Sequence, residues 1–184
     1  MRYFSFLLLF LCCACAAPEF TMVKVNTFEE EKKISVFASA VEINSTVERF
    51  DRLPHIEDEM PITPEESLKK WIQNRFVAIK PETQLKMRVV IEKAYLTQMD
   101  EQSGHWYVFD NVKYTLSYAL KFIFEKGEDA VYTHNIGGYE TSSLPKRSSI
   151  SVKEKVFEKM LNAMIYKIDE EIRKSVPKKF IEGN

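Results

Sequence analysis

Cysteine is missing from nearly the whole chain. All three cysteines, Cys12, Cys13 and Cys15, stand among the first fifteen of 184 residues. The body therefore has no disulfide framework, no thiolate metal site and no cysteine nucleophile. Glycine and proline are scarce too, at five and seven residues, which excludes a collagenous or low-complexity chain. Strong charge of one sign is lacking. The net charge is -1, so no global field draws nucleic acid. The three histidines, His55, His105 and His134, form no H-x-x-x-H or H-E-x-x-H pattern of the kind that supplies zinc ligands from one helix face. The serines at 142, 143, 148, 149 and 151 lie outside any G-x-S-x-G elbow. Gly137-Gly138 lacks the Lys-Ser or Lys-Thr of a phosphate loop. Asp51, His55 and Asp58 could be drawn together as a site, but an acid-rich solvated linker is the simpler account of them. These absences leave no catalytic residue and no cofactor to assign.

What is present at the start is a leader. Arg2 is followed by fifteen uncharged residues, Tyr3 to Ala17, fewer than the ~20 apolar residues a spanning helix needs. The run ends in small residues and Pro18, as a secretory signal peptide does. Residues 1–17 are expected to be that signal peptide. Cys-Ala-Ala before Pro18 could serve ordinary cleavage. Alternatively, Cys12-Cys-Ala-Cys15 resembles the bacterial lipobox, in which a cysteine receives diacylglycerol and becomes the new N-terminus. Cys15 follows the small Ala14 and is the expected acceptor, with Cys13 the alternative. Cys12 stands where the lipobox prefers Leu. Ala16 is not Asp, and by resemblance to the enterobacterial sorting rule this favours the outer membrane over the inner.

The remaining ~170 residues suit one domain with its own core. Hydrophobic residues make up 45% and charged residues 29%, an ordinary globular composition. Residues 18–62 read as one or two strands (around Val23 and Val25, then Ile34–Ile43) followed by an acidic surface linker. Thr63, Pro64 and Glu66 predict a helix N-terminus with a capping box and proline at the first helical position. Leu68, Trp71, Ile72 and Phe76 continue it as one apolar face. Leu85, Met87, Val89 and Ile91 alternate as a strand, and the shift to Ala94 and Leu96 predicts a bulge near Glu92-Lys93. Gln102–His105 reads as a turn flanked by Trp106, Tyr107 and Phe109. Val112–Phe124 alternates throughout. Gly127–Asp129 then predicts a hairpin turn, and Ala130–Ile136 a returning strand. Ser142–Ser149 reads as a loop. Ser151 and Glu154 suggest a second capping box, opening a helix from Val152 to Val176 whose stripe runs Val152, Val156, Met160, Leu161, Met164, Ile165, Ile168 and Ile172. Residues 63–176 are thus an α-β-β-β-α core, and 177–184 a basic tail. The expected fold is α+β, a two-layer sandwich in which two helices cover one face of a mostly antiparallel sheet of four to five strands.

Tyr114, Tyr118, Phe122 and Phe124 share one strand face and are expected to be core beneath the helices, with a lipid-accepting groove as the sharper alternative. The opposite face, with Lys113, Thr115, Ser117 and Lys121, is then left to solvent or a partner.

Pro61-Ile-Thr-Pro-Glu-Glu-Ser-Leu-Lys-Lys-Trp71 and the Arg75-Phe76 pair resemble a lipoprotein family of alphaproteobacteria. In that family a lipobox leader precedes Pro-x-x-Pro-Glu-x-x-x-x-x-Trp, an Arg-Phe-like helix end, a strand and a long terminal helix. The family has no settled function. Its architecture resembles small accessory lipoproteins of envelope transport systems. The resemblance implies a lipid-anchored protein on the periplasmic side of a bacterial membrane. The expected role is non-enzymatic, binding a protein partner or lipid but no nucleic acid, with Trp106, Tyr107, Lys113 and Lys121 as contact residues. A hydrolase-like enzyme using scattered acids and a purely structural spacer are the alternatives.

Overall fold

The alternation of Val112–Phe124 becomes the middle of a long central strand. In the computed structural model, which describes residues 32–101 and 110–182, the order is β1 (Ile34–Val36), β2 (Val41–Ser45), a 3-10 turn (Glu57–Glu59), α1 (Pro64–Arg75), β3 (Phe76–Ala78), β4 (Leu85–Glu101), β5 (Asn111–Lys126), β6 (Asp129–Pro145), α2 (Ile150–Ser175) and β7 (Ile181–Glu182). The leader, the possible strand at Val23 and Val25, and the Gln102–His105 turn lie outside the described residues.

The fold is α+β, as expected, but its strands divide between two sheets. The larger has the order β2-β4-β5-β6 and the smaller β3-β1-β7. β2 runs parallel to β4 and β1 parallel to β3; the other pairings are antiparallel. The single strand expected over Ile34–Ile43 is therefore two. A four-residue break after Val36 lets the chain leave the small sheet for the large one.

Periodicity explains the large sheet. Even positions of β5 from Val112 to Phe124 are all buried. In β4 the pairing skips a residue between Ile91 and Lys93. That bulge keeps both Met87, Val89, Ile91 and the later Ala94, Leu96 buried on the same face. Gly127, with φ +66, makes the left-handed turn into β6 at no Cβ cost. β6 then runs through Gly137-Gly138 to Pro145, so the loop expected from Ser142 begins only after Pro145. The glycines interrupt the side-chain pattern without interrupting the pairing.

Both helices lie on the buried face of the large sheet. α1 packs on β4, and α2 on β5 and β6. Thr63 caps α1 as expected: its Oγ1 accepts from the Glu66 amide (3.2 Å) and the Glu66 carboxylate accepts from the Thr63 amide (3.3 Å). Phe76, expected on the helix face, instead starts β3, and its ring meets Trp71 (5.6 Å between centroids) and Phe122 (6.0 Å). The second capping box does not form. Ser149 is the N-cap of α2 without a side-chain bond, and Ser151 lies inside the helix. Within the apolar stripe Met160 to Ile172 is buried together with Phe157, whereas Val152 is 43% exposed. Each fully buried side chain of this size stabilises the fold by about 1.5–3 kcal/mol. Tyr114, Tyr118, Phe122 and Phe124 are core, and Tyr114 meets Phe157 edge-on at 5.0 Å.

The ends of the domain are more tied down than expected. Ile56 and Met60 of the acidic linker are buried. The segment expected as a basic tail places Phe180 and Ile181 in the core, stacks Phe180 on Phe124 at 4.5 Å, and pairs β7 with β1.

Candidate functional site

With the helices on one side, the odd positions of β5 and β6 face the other. Lys113, Thr115, Ser117 and Lys121 stand there half-buried in the sheet surface, as the alternation implied. Register places their neighbours. Lys113 lies between Met99 and Ser143, Ser117 between Tyr95 and Tyr139, and Lys121 between Val90 and Asn135. The bulge carries Lys93, Tyr95 and Thr97 onto the same face, with Lys93 opposite Ala119. Tyr139 is 69% exposed.

The charges on this face divide into two groups. Near β2, Lys86 pairs with Glu42 at 2.9 Å and Arg88 pairs with Glu125. Among the described residues Lys93, Lys113 and Lys121 have no carboxylate partner. The face therefore carries three lysines outside any ion pair, with Glu92 beside Lys93 and Glu101 beyond Met99 as its exposed carboxylates, set among tyrosine, threonine and serine side chains.

A second feature flanks it. β2 pairs with β4 only from Met87 to Ile91. Farther along, the linker takes over that edge: the Ile56 amide donates to the Leu96 carbonyl (3.0 Å) and the Gln98 amide to the Pro54 carbonyl (2.8 Å). Between these pairings, at the bulge, a cleft of about 150 Å³ opens, lined by Val47, Glu48, Arg49, Phe50, Glu57, Asp58, Thr63, Glu65, Glu66, Ala94 and Tyr95. Phe50 stacks on His55 at 4.3 Å, and both rings meet Tyr95.

Several of its carboxylates are already engaged. Glu57 accepts from the Leu96 amide (2.9 Å) and lies within hydrogen-bond distance of His55 Nδ1 (3.0 Å). Glu66 closes the α1 cap. Burial pushes the Glu65 carboxyl up, but hydrogen bonds from Lys69 (2.5 Å) and Ser45 and the charges of Lys69 and Arg49 outweigh it and hold the group below its usual range.

The cleft makes no use of the Asp51, His55, Asp58 trio. Asp58 lines it, Asp51 does not, and His55 turns to Glu57. Among the described residues no group of three His, Cys, Asp or Glu side chains could hold a metal ion. His134 is on the helix side, with Nε2 3.6 Å from Glu171. Among the expected contact residues, the structure brings Lys113 and Lys121 onto one face. Trp106, Tyr107, His105, Cys13 and Cys15 lie outside the described residues. Lys93 was not singled out from sequence; carrying the alternation through the bulge would have placed it. The Phe50–His55–Tyr95 cluster joins distant segments and left no local signal. No helix among the described residues is long and apolar enough to cross a membrane.

No protein-family model matches the sequence, and no curated protein matches it. Solved structures similar to it include a candidate neuraminyllactose-binding hemagglutinin homolog from Helicobacter pylori, with TM-score 0.40 and 13% identity over 81% of this chain and 91% of that one. Rare lipoprotein B from Shewanella oneidensis has TM-score 0.39 and 13% identity over 74% and 95% of the two chains. A minor lipoprotein from Acinetobacter baumannii has TM-score 0.41 and 9% identity over 73% and 91%. Likeness at this level transfers neither an activity nor a partner to this chain.

Proposed function

We propose that this chain is a lipid-anchored protein of the bacterial cell envelope, held on the periplasmic side of a membrane through Cys15. Its domain acts as a non-enzymatic binding module. It meets an acidic surface of an envelope protein with the uncovered face of the β2-β4-β5-β6 sheet. The leader supports the anchor: a short uncharged run ends in Cys12-Cys-Ala-Cys15, and the two or more acyl chains of a lipoprotein give stable membrane attachment. One observation carries the binding role. Lys93, Lys113 and Lys121 share a sheet face on which the neighbouring cations, Lys86 and Arg88, are already neutralised. Against Glu92 and Glu101 these three lysines leave a net positive excess on the face, and such an excess steers and orients a partner of the other sign.

The test is capture of partners from envelope extracts. Lys113→Glu with Lys121→Glu should weaken capture about tenfold and remove its salt sensitivity. Lys155→Glu with Lys159→Glu, on the outer side of α2, should leave capture unchanged. If the sheet pair has no effect and the helix pair releases the partner, the binding face is the other one and the reading fails. Vesicles of anionic lipid form a separate arm. Binding there, lost in the sheet pair while no protein is captured, would replace the protein partner with a headgroup. Cys15→Ser should release the chain from the membrane fraction and stop incorporation of labelled palmitate. Continued labelling would overturn the assignment of the acceptor.

A further inference from the structure

We propose that β6 is the site at which a second copy of this chain adds. The two β6 strands would run antiparallel about a twofold axis at Gly137, joining two four-stranded sheets into one of eight strands. β6 is the outermost strand of its sheet, and among the described residues the one backbone group outside β5 that bonds it is the Ser148 amide, which donates to the Pro145 carbonyl at its very end (2.9 Å). Its outer edge therefore presents a row of unpaired amides and carbonyls, the template on which another strand adds. The other side of the sheet is managed differently: the linker closes the β4 edge beyond β2 through Pro54 and Ile56. β6 has few such protections. It contains no lysine or arginine from Asp129 to Pro145, and proline only as its last residue. Its one irregularity, the skip at Val131, lies next to the hairpin and leaves Tyr132 onward regularly paired.

A second observation faces the same way. The helix layer does not finish covering β6. Tyr132, His134, Gly138 and Glu140 lie on the α2 side yet remain half-buried. α2 reaches this strand through Lys167, whose Nζ bonds Glu140 at 2.6 Å. Tyr166, 66% exposed, and Val152, 43% exposed, stand on the outer side of α2, each about 160° around the helix from the buried stripe at 100° per residue, and take no part in covering this strand. A twofold copy would cover the edge and the half-buried β6 side chains together, because antiparallel pairing about an axis normal to the sheet sets the two helix layers on the same side.

The charges select both the occupant and the register. With Gly137 opposite Gly137 of the second copy, Thr133 opposes Thr141, Asn135 opposes Tyr139, and His134 opposes Glu140. His134 and Glu140 are the only ionisable side chains besides tyrosine between Tyr132 and Ser142, so this register sets the carboxylate, already held by Lys167, opposite an imidazole that lies against Glu171, and brings no like charges together. Moving the axis to Glu140 would set two carboxylates face to face, which is destabilising. The inference stands apart from the binding role of the sheet face, and its failure would leave that reading untouched.

The test uses the full chain, produced in one cell with two different tags and extracted in mild detergent. Capture through one tag should bring down the other. Thr133→Lys with Thr141→Lys, at two exposed positions, sets like charges opposite each other at both symmetric pairs and should reduce co-capture roughly tenfold. Thr133→Glu with Thr141→Glu should do the same alone. Producing the lysine form with the glutamate form should restore co-capture, since each pair is then of opposite sign. Unchanged melting temperatures would show that the variants fold. Absence of co-capture in the unmodified chain, indifference to the lysine pair, or failure of the mixed pair to recover would each overturn the proposal.

Discussion

At Gly138 the outcome of a substitution turns on a few tenths of an ångström. A Cβ built there would stand 2.8 Å from the Tyr118 hydroxyl oxygen and 3.0 Å from its ring carbon. Tyr118 is 6% exposed, and burial, then the charge of Glu140, push its phenol pKa up, with Lys167 opposing. The hydroxyl therefore lies across the glycine beside the Lys167–Glu140 pair. Gly138→Ala must displace that ring, and overpacking of this kind costs about 1–3 kcal/mol. Tyr118→Phe removes the atom that approaches nearest, so the alanine should cost less in that background. Denaturant melts of the two single variants and the double variant measure the coupling. Additive effects would show that the close approach to the hydroxyl is not what requires glycine here. By contrast, Gly127 has open space around it but a positive φ, so any side chain there would be strained by the backbone alone.

Among the elements, the two helix N-termini look alike in sequence and differ in structure. Thr63 and Glu66 exchange both hydrogen bonds of a capping box, whereas Ser149 makes no side-chain bond at the start of α2 and Ser151 lies inside the helix. Thr63→Ala should therefore cost about 1 kcal/mol, while Ser149→Ala and Ser151→Ala should each change the unfolding midpoint little. Equal losses at all three positions would contradict this assignment of caps. The contrast also shows what local sequence could reveal. A capping box is read from four adjacent residues, and the β4 and β5 alternation from neighbours two apart, so α1, the bulge and the face bearing Lys113 and Lys121 were legible. β3 and β7 were not, nor was the break that divides the expected Ile34–Ile43 strand into β1 and β2. β1, β3 and β7 are two or three residues long and pair with segments distant in the chain, so no periodicity can build up. Phe76 had helical spacing, but the chain turns at Arg75 and places it beside Ile34. Phe180 and Ile181 were hidden among lysines that suggested a solvated end. The cleft at Phe50, His55 and Tyr95 was illegible for the same reason: its rings come from the linker and the β4 bulge, which meet only in the folded chain.

Across the whole molecule, one ionic clamp joins parts that pack on different sheets. Arg75, at the end of α1, is 2% exposed. Its guanidinium donates to both oxygens of Asp169 on α2, at 2.6 and 2.9 Å, and to the Lys32 carbonyl just before β1. Arg173, one turn farther along α2, donates to Asp169 from the solvent side at 2.7 Å. The fork geometry of arginine suits such bidentate recognition, which lysine cannot reproduce. The clamp therefore fixes α1 against α2 and ties both to the entry of the small sheet, whose β3 follows Arg75 directly. A buried pair of this kind adds little over a well-packed apolar substitute, and removing one partner from an isolated pair costs about 3–5 kcal/mol; here Arg173 still donates to Asp169 when Arg75 is removed, and the Lys32 carbonyl still accepts from Arg75 when Asp169 is removed, so the cost is smaller. Arg75→Ala and Asp169→Ala should each destabilise by about 1.5–3 kcal/mol in urea unfolding, the range for hydrogen bonds to charged groups, and Arg75→Lys should recover only part of the loss. Arg75→Met with Asp169→Leu should be less destabilised than either alanine variant, since the buried guanidinium and its carboxylate go together and Arg173, 36% exposed, reaches solvent. Native-state hydrogen exchange supplies the test of scale: in Asp169→Ala the amides of β1 and β3 should lose protection together with those of α1. If protection falls in α2 alone, the pair is a local contact between helices and does not hold the small sheet to the rest of the domain.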